Sequence, residues 1–145
     1  MASVPFHYVD LQTFAYATED EKRVEDALRR FLPEEFGIER TENEGHHGDR
    51  IVVLSARLEN ADDIRHLLSV LGGMGDADRV LDELGDRITE DCELYLYLDK
   101  QAAFGGETRL GRGISLRAKV EAYPADRGAA IENAREALEA ASGAA

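Results

Sequence analysis

The sequence contains one cysteine, three prolines, two methionines and no tryptophan among its 145 residues. The single cysteine, Cys92, cannot form a disulfide within the chain and supplies too few ligands for a cysteine-based zinc site. No run approaches the ~20 consecutive apolar residues that a membrane-spanning helix needs. The first ten residues lack the charged start and the apolar stretch of a secretory signal. We therefore expect one cytoplasmic domain over 1–145, with a disordered end at 141–145 and no membrane partner.

Lysine is also scarce. Seventeen basic residues face thirty acidic ones, giving a net charge of −13, and the only lysines are Lys22, Lys100 and Lys119. Such a surface repels nucleic acid in dilute salt. In multi-molar salt, however, screening shortens that repulsion to about 3 Å, and acidic, lysine-poor surfaces are typical of proteins that work there. We expect a halophilic protein; the alternative is an acidic protein from a mesophile, which would fold without concentrated salt.

The spacing of apolar residues predicts five strands and four helices. The strands are expected near 6–17, 37–43, 50–59, 92–99 and 114–123. Helices are expected after Thr18, which forms a capping box with Glu21, after Asn60, after Asp76, and over 127–141. The order β-α-β-β-α-α-β-β-α, with strands that have one apolar and one polar face, predicts an α+β fold. Its largely antiparallel sheet should have helices packed on one face.

The segment 100–120 is a cationic island in this acidic chain. It holds five basic residues and one acidic residue, a net charge of +4, whereas 1–99 carries −14. Clustered positive charge of this kind is typical of a surface that binds phosphates. The island contains Lys100, Arg109, Arg112, Arg117 and Lys119.

Aromatic side chains strengthen this prediction. If the last two strands pair, Tyr95 and Tyr97 share a polar face with Arg117 and Lys119. Rings beside cations on an open sheet can stack bases while the cations hold phosphates. The alternative is that the tyrosines pack under a helix or at a dimer interface.

His46 and His47 lie in a hairpin loop with Glu44 and Asp49. Such residues could ligate a metal ion or supply a general base, which leaves a metal-dependent hydrolase open. Adjacent residues in a glycine-flanked loop rarely converge on one ion, so a hairpin tip that touches a partner is favoured. The sequence contains no glycine-rich phosphate loop, nucleophile elbow or H-E-x-x-H motif. We therefore expect no catalytic residues, no metal and no cofactor.

Five short segments, in this order along the chain, resemble an archaeal family described as RNA-binding proteins or predicted exosome subunits. They lie at 6–10, 17–20, 44–48, 99–103 and 122–124. The resemblance extends over about 6–140. It implies RNA binding without a defined catalytic activity, and a fold similar to the large-subunit ribosomal protein that binds 5S RNA. The segments His46–His47–Gly48 and Asp99–Lys100–Gln101 become binding candidates through this resemblance.

The sequence thus predicts a non-catalytic, RNA-binding accessory protein associated with RNA processing or the exosome. The alternative is a protein-interaction subunit or adaptor that does not touch RNA, and a homodimer remains open. The predicted RNA-contacting residues are Lys100, Gln101, Arg109, Arg112, Arg117, Lys119, Tyr95, Tyr97, His46 and His47.

Overall fold

The computed structural model describes residues 4–45 and 48–142. Within these ranges, one five-stranded antiparallel sheet is packed against six helices, which confirms the predicted α+β class. The strands are β1 (Phe6–Tyr16), β2 (Glu39–Glu44), β3 (Arg50–Leu58), β4 (Glu93–Asp99) and β5 (Gly113–Val120). The helices are α1 (Glu21–Arg29), α2 (Ala61–Gly72), α3 (Ala77–Asp82), α4 (Leu84–Arg87), α5 (Lys100–Phe104) and α6 (Arg127–Ser142). No helix in the described ranges is long and apolar enough to cross a bilayer.

The strands lie in the order β2-β3-β1-β5-β4. Alternate residues of β1, β3 and β4 are buried against the helices: Leu11, Leu54 and Leu96 are all fully buried. Burial of a leucine contributes about 1.5–3 kcal/mol, so this apolar face holds the sheet to the helical layer. The residues between them point to the opposite side, where side chains remain half-buried or exposed. We call that side the open face.

Helix starts follow short polar caps, with one shift from the prediction. The cap of α1 is Asp20, whose carboxylate accepts a hydrogen bond from the Lys22 amide at 3.0 Å. The predicted cap at Thr18 is therefore wrong by two residues. The predicted Asn60 cap of α2 is confirmed, since its side chain accepts from the Asp62 amide at 2.8 Å. The helix predicted after Asp76 is divided into α3 and α4, because the backbone between them leaves helical geometry.

Several strand ends also differ from the prediction by one to three residues, and two of these differences have a clear cause. The strand predicted from Cys92 begins one residue later, because Cys92 has a left-handed backbone with φ of 62° and donates its amide hydrogen bond to the Thr89 carbonyl. The strand predicted to reach 123 ends at Val120. Its neighbours begin at Phe6 and Glu93, so beyond Val120 no partner strand remains on either side.

The helix α5 was not predicted. The Asp99 carboxylate caps it by accepting from the Ala102 amide at 2.9 Å. At the chain's end, α6 continues to Ser142, so two of the five residues expected to be disordered are helical. The remaining three, 143–145, lie outside the described residues.

Four strands meet at one end of the sheet, which we call the loop end. Tyr16 at the end of β1 pairs with Ile51 near the start of β3, and Asp99 at the end of β4 pairs with Gly113 at the start of β5. The β2–β3 hairpin, α5 and the loop 105–112 therefore lie at the same end. Segments that are distant in sequence are brought together there.

Candidate nucleic-acid interface

Antiparallel pairing aligns the side chains of the open face in rows that cross the strands. A charged row runs from Tyr95 through Arg117 and Asp10 to Arg57. Next to it, a polar row contains Tyr97, Ser115, Gln12 and Ser55. Neighbouring rows lie about 6.7 Å apart, since they are two residues apart along each strand. The predicted pairing of β4 with β5 is confirmed, and Tyr95 does share a face with Arg117.

Asp10 organises the charged row because it binds two guanidinium groups. Arg57 Nε and Nη2 donate to its two carboxylate oxygens at 2.7 and 2.8 Å. Arg117 Nη2 donates to Asp10 Oδ2 at 2.9 Å, and Arg117 Nε lies 3.6 Å from a Glu93 oxygen. The Arg57 guanidinium carbon also lies 4.0 Å from the centre of the Tyr8 ring. These contacts hold both guanidinium groups against side chains of β1 and β4.

The same contacts fix the protonation state of the row. Partial burial raises the pKa of Asp10, but hydrogen bonds from Arg57 and Arg117 outweigh burial and lower that pKa below its usual value of 3.8. The Asp10 hydrogen bond raises the pKa of Arg117. All three groups therefore stay ionised at neutral pH, and the row presents a constant charge pattern to a ligand.

Folding neutralises much of the predicted cationic island. The ion-pair partners of Arg117 come from other strands, and Arg109 lies 3.8 Å from carboxylate oxygens of both Asp99 and Glu107. The charge of +4 counted along the sequence therefore does not persist as a patch of unpaired cations.

Two cations of the island have no carboxylate partner among the described residues. Arg112 is exposed in the loop before β5. Lys119 donates its ammonium hydrogen bond to the Asp91 carbonyl on the open-face side. Within the island, these two are therefore the basic groups most available to a phosphate.

Lys100 occupies a different place from the one its predicted role requires. Its side chain is 7% exposed, and its ammonium donates to the Phe14 carbonyl at 2.7 Å and to a Glu19 carboxylate oxygen at 2.8 Å. The same ammonium lies 5.2 Å from the centre of the Tyr16 ring. Lys100 therefore positions the end of β1, and we leave it out of the proposed contact set.

Exposed aromatic rings are concentrated on this face. Tyr97 is 52% exposed, Tyr16 49% and Phe14 38%, and the ring centres of Phe14 and Tyr16 are 6.3 Å apart. The alternative that Tyr97 packs under a helix is wrong. Four of the five tyrosines lie on the open face: Tyr8, Tyr16, Tyr95 and Tyr97.

The sequence prediction missed the contribution of β1 and β3. Tyr8, Asp10, Phe14 and Tyr16 alternate with buried residues along β1. This period of two was hidden because three of these open-face residues are aromatic, while the polar Thr13 lies on the buried face. Arg57 was missed because its partner Asp10 is 47 residues away in sequence.

The remaining predicted residues lie at the loop end. Gln101 is exposed in the first turn of α5. His46 and His47 lie outside the described residues, although the amide of Gly45 bonds to the Asp49 carbonyl at 2.6 Å and so places the base of their hairpin at this end. No group of three or more His, Cys, Asp or Glu in the described ranges could hold a metal ion.

A groove of about 920 Å³ runs over the open face. The polar row forms its floor, the charged row forms one side, and Phe36 and Gly37 lie at one margin. Its lining therefore combines rings, guanidinium groups and small polar side chains. That combination can stack a planar group, hold an anion and hydrogen-bond an edge of a base.

Comparison with known proteins identifies relatives of this chain. The RNA-binding protein PAB1135 of Pyrococcus abyssi is 33% identical, and the match covers 92% of this chain and 94% of that protein. Mth689, a DUF54 protein from Methanothermobacter thermautotrophicus, is 41% identical with a TM-score of 0.77, and the match covers 92% of this chain and 98% of Mth689. Protein AF2318 from Archaeoglobus fulgidus is 31% identical with a TM-score of 0.80, over 91% and 99% of the two chains. A family model described as RNA binding matches residues 8–120, which contain the whole open face, and the chain belongs to this family.

Proposed function

We propose that this protein binds RNA on the open face and at the loop end, as a non-catalytic accessory protein. The observation that carries the proposal is that exposed rings and fixed guanidinium groups lie in adjacent rows on a sheet surface that none of the helices within 4–45 and 48–142 covers. Bases would stack on Tyr97, Tyr16 and Phe14. Phosphates would meet Arg112, Lys119 and the outer edges of the paired arginines.

The energetics favour stacking over charge attraction. A stacked base contributes about 1–3 kcal/mol and tolerates salt, whereas attraction to phosphates falls steeply as salt rises. A chain with a net charge of −13 would be repelled by RNA in dilute salt. Binding through rings in concentrated salt is therefore the mode that suits a halophilic protein, and we propose that environment for it.

The resemblance described above supports a role in RNA processing, including association with the exosome. A surface that binds RNA without catalysing a reaction suits such a role, because the protein would present RNA to a catalytic partner. His46 and His47 would flank the bound RNA from the hairpin at the loop end.

A protein-interaction adaptor is the second candidate. A largely apolar groove of about 1,030 Å³ lies between α2, α6 and the segments that precede β1 and follow β5, and its lining includes Leu68, Ala137 and Tyr123. Tyr123 is fully exposed there. A protein bound in this groove would stay bound after RNA is digested, unlike a partner bridged by RNA.

Replacing Arg112 and Lys119 by glutamine tests the charge part of the proposal. Each substitution removes one cation that has no carboxylate partner among the described residues, without introducing a negative charge. We expect weaker RNA binding, and a slope of log affinity against log salt that falls by about one for each cation that contacts a phosphate. Fluorescence anisotropy across a salt series measures both quantities.

Arg79→Gln is the matched control, because Arg79 is an exposed arginine on α3, on the helical side of the sheet. It should leave the slope unchanged. Equal slopes for the wild type, the control and the double variant would show that these two cations do not meet phosphates.

A further inference from the structure

We infer that the ligand is single-stranded RNA, whose unpaired bases stack on the rings and enter the groove above the polar row. This inference rests on the proposed function and names the form of RNA that the same surface accepts. Three features of the open face support it: the depth of the polar row, its free hydrogen-bonding groups, and the scarcity of unpaired positive charge.

The polar row is a trough between taller rows. Its central members, Ser115, Gln12 and Ser55, are flanked on one side by the charged row and on the other by Phe14, which pairs with Val53. The two flanking rows lie about 13 Å apart, four residues along a strand. At one end of the trough is Tyr97, whose ring is half exposed. A flat base can lie on this floor only if it is not already stacked within a helix.

The floor of the trough also has unused polar groups. The side chains of Gln12 and Ser55 have no hydrogen-bond partner within residues 4–45 and 48–142, and Ser115 makes only a 3.4 Å contact to the Gln12 carbonyl. Amide and hydroxyl groups of this kind match the Watson–Crick edge of a base. In a duplex that edge is already paired, so these groups would gain nothing from it.

The charge distribution of the open face also favours a single strand over a duplex. A duplex carries one phosphate charge per ~1.7 Å of its axis, about twice the density of one strand. The charged row offers little to such a ligand, because Asp10 and Glu93 offset its two arginines. Proteins that bind double-stranded RNA contact its phosphates and 2′-hydroxyls across a shallow groove. Cations that are buried or already paired with carboxylates are poorly placed to make those phosphate contacts. Base stacking on a single strand requires fewer free cations.

The test compares one RNA in two forms. A fluorescent single strand of about twelve nucleotides and the same strand annealed to its complement are titrated with the full chain in multi-molar KCl, where the duplex stays annealed. We expect the single strand to bind at least roughly tenfold more tightly, the value of about one stacked base. Tyr97→Ala should remove most of that difference, because it removes the ring on which an unpaired base stacks.

The outcomes separate this inference from the proposed function. Equal or tighter binding of the duplex would overturn the single-strand inference and leave RNA binding intact. Absence of binding by either form, with a folded protein confirmed by circular dichroism, would overturn the proposed function itself. The inference would also be overturned if Tyr97→Ala still preferred the single strand as strongly as the wild type does. In that case the preference would not come from stacking on this face.

Discussion

Replacing Tyr97 by alanine is expected to weaken RNA binding by roughly 5- to 150-fold, the equivalent of the 1–3 kcal/mol that one stacked base contributes. Tyr97 is the most exposed ring on the open face, and it lies at the end of the polar row. Its ring is not part of the buried core, so the fold should tolerate the change. Isothermal titration with single-stranded RNA measures the loss directly.

Two substitutions control this experiment. Tyr97→Phe keeps the ring and should bind nearly as well as the wild type, since stacking does not need the hydroxyl group. Tyr123→Ala removes an even more exposed tyrosine that lies beside the α2–α6 groove and not on the open face. If Tyr123→Ala weakens binding as much as Tyr97→Ala does, RNA contacts the other side of the molecule.

Replacing Lys100 by methionine is expected to destabilise the folded protein by about 2–4 kcal/mol, because it leaves a mostly buried carboxylate without its cation. Methionine keeps the length of the side chain but removes the ammonium donor to the Phe14 carbonyl and to the Glu19 carboxylate, which then retains only the Tyr16 amide at 3.0 Å. Chemical denaturation at neutral pH measures the change. Lys22→Met, an exposed lysine on α1, should have little effect.

The effect of Lys100→Met should depend on pH. Burial raises the pKa of Glu19, but hydrogen bonds from Lys100 and the Tyr16 amide outweigh burial and lower that pKa from its usual value of 4.5. A lowered pKa in the folded state stabilises the protein above pH 4.5, and this stabilisation is lost as the pH falls through the folded-state pKa. The stability gap between wild type and variant should therefore narrow below about pH 4.5. A gap that is constant from neutral pH to pH 3 would mean that the Glu19 ion pair is not its source.

Alternation along the last two strands was enough to predict which of their residues face solvent. Cys92, Leu94, Leu96 and Leu98 are buried, while Tyr95 and Tyr97 lie on the other face, as their period of two indicates. The pairing of neighbouring strands then placed Tyr95 beside Arg117. Local patterns suffice for such features because each depends only on residues within one hairpin.

The electrostatics could not be predicted in the same way. Arg117 meets Asp10 across 107 residues, and Lys100 meets Glu19 across 81. Counting charges within a segment cannot reveal partners that the sheet order brings from the other end of the chain. Lys100 was expected to contact phosphates because it lies in the cationic island. It is buried because the end of β1 and the turn after it supply two acceptors.

The binding candidates taken from the family resemblance include residues that maintain the fold as well as residues that are exposed. In the segment Asp99–Lys100–Gln101, Asp99 caps α5, Lys100 is buried, and only Gln101 is exposed. Residues at a strand end that this chain shares with the family can therefore maintain the fold and need not bind a ligand. The open face, in contrast, is assembled from β1, β3, β4 and β5, and no single segment of the sequence displays it.

The most direct measurement of the central claim is photo-crosslinking of thiouridine-substituted RNA to the full chain, followed by mass spectrometry of the crosslinked peptides. Binding on the open face predicts crosslinks in β1 and β4, at or next to Tyr16 and Tyr97. Crosslinks that are confined to α2, α6 or the segment around Tyr123 would contradict the account.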